Sequence, residues 1–109
     1  MVGHTGDFNA AIKAAETVDG CLQSLMKTLN QYEFSVIVIA DHGNSDYMIN
    51  ENGTPNTAHT TNLVPCFLVE ANGKDIQLSN GKLADIAPTI LELMNITPPE
   101  EMTGKSLIK

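Results

Sequence analysis

Arginine is missing from this chain, and its six basic residues are all lysines. The planar guanidinium fork that usually clamps phosphate is therefore absent. Positive charge at any phosphate site must come from bound metal or from protein outside this chain. Six lysines against 13 acidic residues leave a formal net charge of −7. That balance argues against nucleic acid or an anionic membrane as partner, since both need clustered Lys and Arg. No apolar run approaches the roughly 20 residues of a membrane span. No charged-apolar-small leader opens the sequence, so the expected setting is the cytoplasm. Cysteine is scarce too: Cys21 and Cys66 sit in apolar surroundings without metal-type spacing and read as buried, reduced thiols. At 109 residues and 42% apolar content, the chain reads as one globular domain at most, short for a doubly wound enzyme.

What is present is organised around Ser35-Val36-Ile37-Val38-Ile39-Ala40-Asp41-His42-Gly43-Asn44. Val36 to Ile39 alternate valine and isoleucine with no polar residue between them. A strand wet on one face would alternate apolar with polar. The continuous run predicts a strand buried on both faces, as in a parallel sheet covered by helices. In open α/β sheets, ligands sit just beyond the carboxyl ends of strands, and Asp41 and His42 occupy that position. A carboxylate beside an imidazole can ligate a divalent cation or act as an acid/base pair.

Taken in order, the chain opens with a glycine-containing loop, Met-Val-Gly-His-Thr-Gly. Asp7, or Thr5 before it, can cap a helix from Asp7 to Gln31. Its apolar stripe is Phe8, Ala11, Ile12, Ala15, Val18, Cys21, Leu22, Leu25, Met26 and Leu29. Gly20 costs this helix ~1 kcal/mol relative to Ala, but the stripe stays in phase across it. After the Asp-His-Gly segment, Ser45 to His59 is a polar loop with turn signals at Asn52-Gly53 and Thr54-Pro55-Asn56. Tyr47 to Ile49 can form a short extended piece within it. A loop this long is usually functional. Val64 to Glu70 predicts a second strand, with Pro65 near its start. Ala71 to Lys74 reads as a turn, Asp75 to Leu78 as a short edge strand, and Ser79-Asn80-Gly81 as another turn. Asp85 is placed to cap a second helix, with Pro88 in its first turn and Ile90, Leu91, Leu93 and Met94 on its apolar side. Asn95 suits a left-handed terminus, and Pro98-Pro99 bars continuation. The tail from Glu100 is expected to pack through Met102, Leu107 and Ile108.

The three histidines, His4, His42 and His59, all lie in loops beside small or polar residues, outside any helix stripe. Singly, each reads as an ordinary exposed histidine. Jointly, they can meet at one sheet edge. Histidine with carboxylate suits Zn²⁺ or Mn²⁺ better than Ca²⁺, which prefers oxygen ligands. Thr60 and Thr61 can orient the His59 ring or be simple loop residues. Asn44 can stabilise the turn after the strand. Asp46 and Glu51 read as solvated loop carboxylates.

Five segments occur in order: Met-Val-Gly-His-Thr-Gly, Ala-Asp-His-Gly-Asn, His-Thr-Thr-Asn-Leu-Val-Pro, Leu-Ala-Asp-Ile-Ala-Pro-Thr-Ile-Leu-Glu-Leu-Met and Glu-Met-Thr-Gly-Lys-Ser-Leu. Together they resemble the C-terminal part of the cofactor-independent (2,3-bisphosphoglycerate-independent) phosphoglycerate mutase family, in the alkaline phosphatase superfamily. The likeness covers nearly all of this chain but a minor fraction of a family member. It implies an α/β class, as a partial alkaline-phosphatase-like sheet covered by helices. Residues 1–109 would be the C-terminal segment of the metal-binding phosphatase domain, without its N-terminal segment or the inserted phosphotransferase domain. It further implies a glycolytic isomerase that interconverts 3-phosphoglycerate and 2-phosphoglycerate through a phosphoserine, with two Mn²⁺ or other divalent ions. By motif match, Asp41 and His42 would ligate one metal, and His4 and His59 the other.

The pattern also departs from the family's. An aspartate ligand precedes the Met of Met-Val-Gly-His in the family, and here that Met is residue 1. The nucleophilic serine, a further aspartate ligand and the substrate-holding basic residues of the family are absent as well. Ser45 is no substitute, since the resemblance places the nucleophile elsewhere. The chain alone is therefore expected to be inactive, to bind metal weakly, and to self-associate through open edges left without neighbours. Phosphopentomutase, which shares Asp-His-Gly and a His-Thr segment before Val-Pro, is the nearest rival. A non-catalytic metal-binding or oligomerising module is the other alternative. His-Thr-Thr-Asn and the opening motif favour the glycerate mutase.

Overall fold

A computed structural model describes residues 2–109, so Met1, with which the opening motif begins, lies outside the described residues. The architecture is α/β. Its main elements are helix α1 (Phe8–Gln31), strand β1 (Val36–Ile39), strand β2 (Cys66–Val69) and helix α2 (Ile86–Leu93). Short 3₁₀ turns at Val2–His4 and Leu83–Asp85 precede the two helices. The chain divides into two compact units, Met1–Asn72 and Gly73–Lys109, rather than the single one its length suggests. No helix among the described residues is long and apolar enough to cross a membrane.

In the first unit, α1 starts where expected. The Asp7 carboxylate accepts a hydrogen bond from the Ala10 amide at 2.9 Å, satisfying one free N–H of the first turn. The helix runs unbroken through Gly20. It ends with Glu33 in the left-handed region, at φ 55°, and the Phe34 amide returning to the Leu29 carbonyl. None of its 24 residues is buried. Ala11, Ala14, Leu22, Met26 and Leu29 are half-buried, while Phe8, Ile12, Val18 and Leu25 are exposed. Cys21 is exposed and Cys66 half-buried, so only the free state of the two thiols matches expectation. The apolar stripe exists, but the described chain covers one margin of it.

The expected parallel, doubly buried strand is not what forms. β1 pairs antiparallel with β2, in the register Val36↔Val69, Ile37↔Leu68, Val38↔Phe67 and Ile39↔Cys66. Its first three residues are half-buried and Ile39 is exposed. A continuous apolar run records a need for burial on both faces, but it carries no information about a neighbour's direction. The other strand among the described residues is β2, and it returns the opposite way. The expected edge strand over Asp75 to Leu78 is reduced to a single bridge between Leu78 and Ile108.

The second unit is built around two buried polar residues. Thr89, on α2, is 1% exposed. Its hydroxyl donates to the Asp85 carbonyl at 2.7 Å and accepts from the Leu107 amide at 3.0 Å. Asp85 does not cap α2 with its side chain, as the sequence suggests. The preceding 3₁₀ turn runs straight into the helix, so Asp85 already has helical backbone angles (φ −88°, ψ −12°). Its carboxylate turns back and accepts from the amides of Lys105 (3.0 Å) and Lys82 (2.9 Å). Those amides, Lys105 first, hold the Asp85 carboxyl below its ordinary range. The tail packs as expected: Leu107 is buried, and Met102 and Ile108 are half-buried. Asn95 takes φ 55°, ending the helix in the left-handed conformation.

Replacing Thr89 by Val removes the hydroxyl and strands the Leu107 amide in a dry site. A lost buried partner of this kind costs ~1–3 kcal/mol. Urea unfolding followed on second-unit methyl resonances should show that loss for Thr89→Val, with most of the stability retained in Thr89→Ser.

Candidate metal centre

All four residues singled out as ligands lie in the first unit, in segments that converge beyond the end of β1. Asp41 and His42 follow that strand directly. His59 arrives through the polar loop, which is not irregular throughout. Ile49 and Pro55 form a bridge, with Asn50 and Thr54 bonded across the turn beneath it. The Asn56 side chain donates to the Tyr47 carbonyl at 2.8 Å. Met48 is buried against this small hairpin. The loop then closes on the strand end. Gly43 and Thr60 form an antiparallel bridge, with the Thr60 amide 2.8 Å from the Gly43 carbonyl.

His4 reaches the same place on the opening 3₁₀ turn. Gly3 lies flat against the Asn44 side chain, where any Cβ would collide. Asn44 in turn donates to the Ala58 carbonyl at 3.2 Å. One side chain thus ties the strand end, the N-terminal turn and the His59 loop together, which is more than the turn-stabilising role read from sequence. The Thr60 hydroxyl bonds to Asp46 rather than to the His59 ring, and Thr61 is exposed.

The three imidazoles form a row. His42 and His59 stack, with ring centroids 3.7 Å apart and planes inclined by 18°. His4 and His59 are 5.4 Å apart and tilted by 44°. Nδ1 of His42 lies 3.2 Å from the Gly43 carbonyl, and Nδ1 of His4 lies 3.2 Å from the Thr57 carbonyl. A carbonyl only accepts, so Nδ1 must carry the proton in both rings. In the neutral ring this leaves the lone pair on Nε2, the arrangement a metal-ligating histidine needs. Nε2 of His42 stands 3.6 Å from a carboxylate oxygen of Asp41. Asp41 is 81% exposed and His42 39%.

The candidate donors lie in two neighbouring pairs, Asp41 with His42 and His4 with His59. Metal–nitrogen bonds of about 2.1 Å at a tetrahedral angle put two ligating rings roughly 5 Å apart, centroid to centroid. His4 and His59 match that spacing. The stacked rings of His42 and His59 are too close and too parallel to turn their nitrogens onto one ion. Among the described residues, no three His, Cys, Asp or Glu side chains converge on a single ion position. The arrangement is thus two pairs of donors side by side, open to further ligands.

Asp46 is exposed, in keeping with its reading as a solvated carboxylate, but it is also hydrogen-bonded. It accepts from the Thr60 hydroxyl at 2.8 and 3.1 Å and from the Asn62 side-chain amide. The Asn62 bond, then the Thr60 bond, holds its carboxyl below the ordinary range. Sequence reasoning passed over Asn62 as well. The available signal was weak: Thr60 and Asn62 are donors two apart in an extended segment, hence on one face.

Histidines and an aspartate gathered past the end of a strand, in an α/β chain, are the residue types a metalloenzyme site uses. Comparison with known families agrees: residues 1–98 match the Metalloenzyme superfamily, and the chain belongs to it. Among curated relatives, the whole chain is 54% identical to a 2,3-bisphosphoglycerate-independent phosphoglycerate mutase of Microcystis aeruginosa, covering 22% of that protein. It is 51% identical to the protein of that name from Rippkaea orientalis, with 22% of it covered. The corresponding figures for Parabacteroides distasonis are 52% and 21%. The chain therefore spans about a fifth of the length of the relatives it matches.

Gly43 is buried where the loop closes, and a Cβ there would run into the Thr60 hydroxyl and the Asp46 carboxylate. Gly43→Ala should open the bridge. The Thr60 amide, read by hydrogen–deuterium exchange, should lose its protection. Protection equal to that of the unaltered chain would count against this account of the closure.

Proposed function

We propose that this chain supplies the histidine-bearing part of a two-metal centre in a phosphoglycerate mutase. The observation that carries the reading is the row of three imidazoles beside Asp41, two of them held with Nε2 free. The names of the relatives, at about half identity along the whole chain, favour phosphoglycerate over the ribose phosphate of the rival reading. On this reading the residues here form the last part of the metal-binding domain. The activity is interconversion of 3-phosphoglycerate and 2-phosphoglycerate through a phosphoserine whose serine lies outside this chain.

Asp41 and His42 would hold one divalent ion, and His4 and His59 the other, with Mn²⁺ suiting the mixed nitrogen and oxygen donors. Bound metal would lower the pKa of a nucleophilic hydroxyl and offset phosphate charge in the transfer. The chain's own residues orient the donors. The Gly43 and Thr57 carbonyls fix the tautomers of His42 and His4, and Asn44 holds the two loops to the strand end. The exposure of Asp41 leaves room for the remaining ligands and the substrate. With no arginine to clamp phosphate, the chain alone should not turn over phosphoglycerate.

Mn²⁺ is paramagnetic and broadens nearby proton resonances, so NMR tests the assignment directly. Substoichiometric Mn²⁺ should broaden the ring protons of His4, His42 and His59 before any other histidine-distant signal, and His59→Ala should weaken binding about tenfold or more. Ring protons left sharp at millimolar Mn²⁺ would sink the reading.

We also propose that a second copy covers the exposed apolar residues of α1 when the chain is the sole polypeptide in solution. β1 and β2 each have an outer edge without a strand partner among the described residues, and such edges recruit another chain. Sedimentation velocity should show a concentration-dependent dimer or larger species. A monodisperse monomer at high concentration would refute this.

A further inference from the structure

We propose that Asp46 is a positioning residue that sets where the His59 ring stands relative to His42. The inference rests on the metal-centre reading for its purpose, but its geometry stands without metal. His59 ends a long polar loop, and the backbone bridge from Thr60 to Gly43 alone leaves the segment free to pivot about one contact. Asp46 removes that freedom. It lies in the turn directly after the strand, closed by the Tyr47 amide on the Asn44 carbonyl at 3.2 Å. Three residues separate it from His42.

From this fixed base the carboxylate grips the far segment twice. Thr60 donates to both of its oxygens, and Asn62 donates to Oδ2. Thr60 adjoins His59, so the grip falls one residue from the ring it orients. Gly43, lacking a Cβ, leaves the space in which the hydroxyl and the carboxylate meet. The 3.7 Å stack of His42 on His59 is the result. An aspartate suits the task because an ionised carboxylate accepts only and can serve three donor contacts at once. An asparagine would aim its own NH₂ at one of those donors.

The test compares Asp46→Asn, Thr60→Val and Thr60→Ser in the full chain. The first readout is metal-free NMR of the His42 and His59 ring protons, whose shifts report the stack. Asp46→Asn and Thr60→Val should move these shifts toward those of unstacked imidazole, while Thr60→Ser, which keeps the hydroxyl, should leave them in place. The second readout is Mn²⁺ affinity, expected to fall at least about tenfold in the first two variants, in line with the loss of a residue that orients a ligand. Helix content by circular dichroism shows whether a variant has folded. Should Asp46→Asn fail to fold, Thr60→Val, which leaves every backbone bond intact, decides. Unmoved ring shifts in a folded variant, with only a lower melting temperature, would overturn the proposal and leave Asp46 a stabilising residue. Absence of Mn²⁺ binding in the unaltered chain, with ring shifts that still respond to Asp46→Asn, would overturn the metal reading and leave the positioning role intact.

Discussion

The close approach of Gly43 and Thr60 is the constraint from which the site follows. Strand β1 ends at Ile39, and the chain then makes a long polar excursion before returning as β2. Closing such a loop is entropically unfavourable, though the cost grows only slowly with length. The excursion offsets it with local order: a small hairpin closed at Ile49 and Pro55, and three asparagines, 44, 50 and 56, whose amides satisfy backbone carbonyls. The bond from Thr60 to Gly43 brings His59 to the side of His42.

The two units solve the problem of a small core in different ways. In the second, a threonine and an aspartate are buried with their hydrogen bonds satisfied, and they bind the tail to the start of α2. Polar groups can do this because each donor and acceptor finds its partner inside. In the first, the apolar residues of α1 are left largely in solvent. An exposed stripe of this extent on a helix that is otherwise well capped is uncommon in a self-sufficient monomer. It accords with a segment that corresponds to about a fifth of its relatives' length.

The geometry of the three rings decides which donor atoms are neighbours. His42 and His59 are stacked, His42 has Asp41 on its other side, and His59 has His4.

Much of this was legible in the amino acids. Helix α1, its Asp7 cap, its passage through Gly20, the left-handed Asn95 and the packed tail all follow from local preferences and periodicity, which act over a few residues and leave their mark in the sequence. The ligand candidates followed from residue type and motif. Strand direction did not, because an apolar run is silent about its neighbour. Nor did the burial of the α1 stripe, the turn of the Asp85 carboxylate away from its helix, or the partners of Asp46. These depend on which distant segments the folded backbone brings within hydrogen-bond reach, and a contact such as that between residues 46 and 62 has no local signature. Composition and motif fixed which atoms could bind a cation; folding settled which of them face one another.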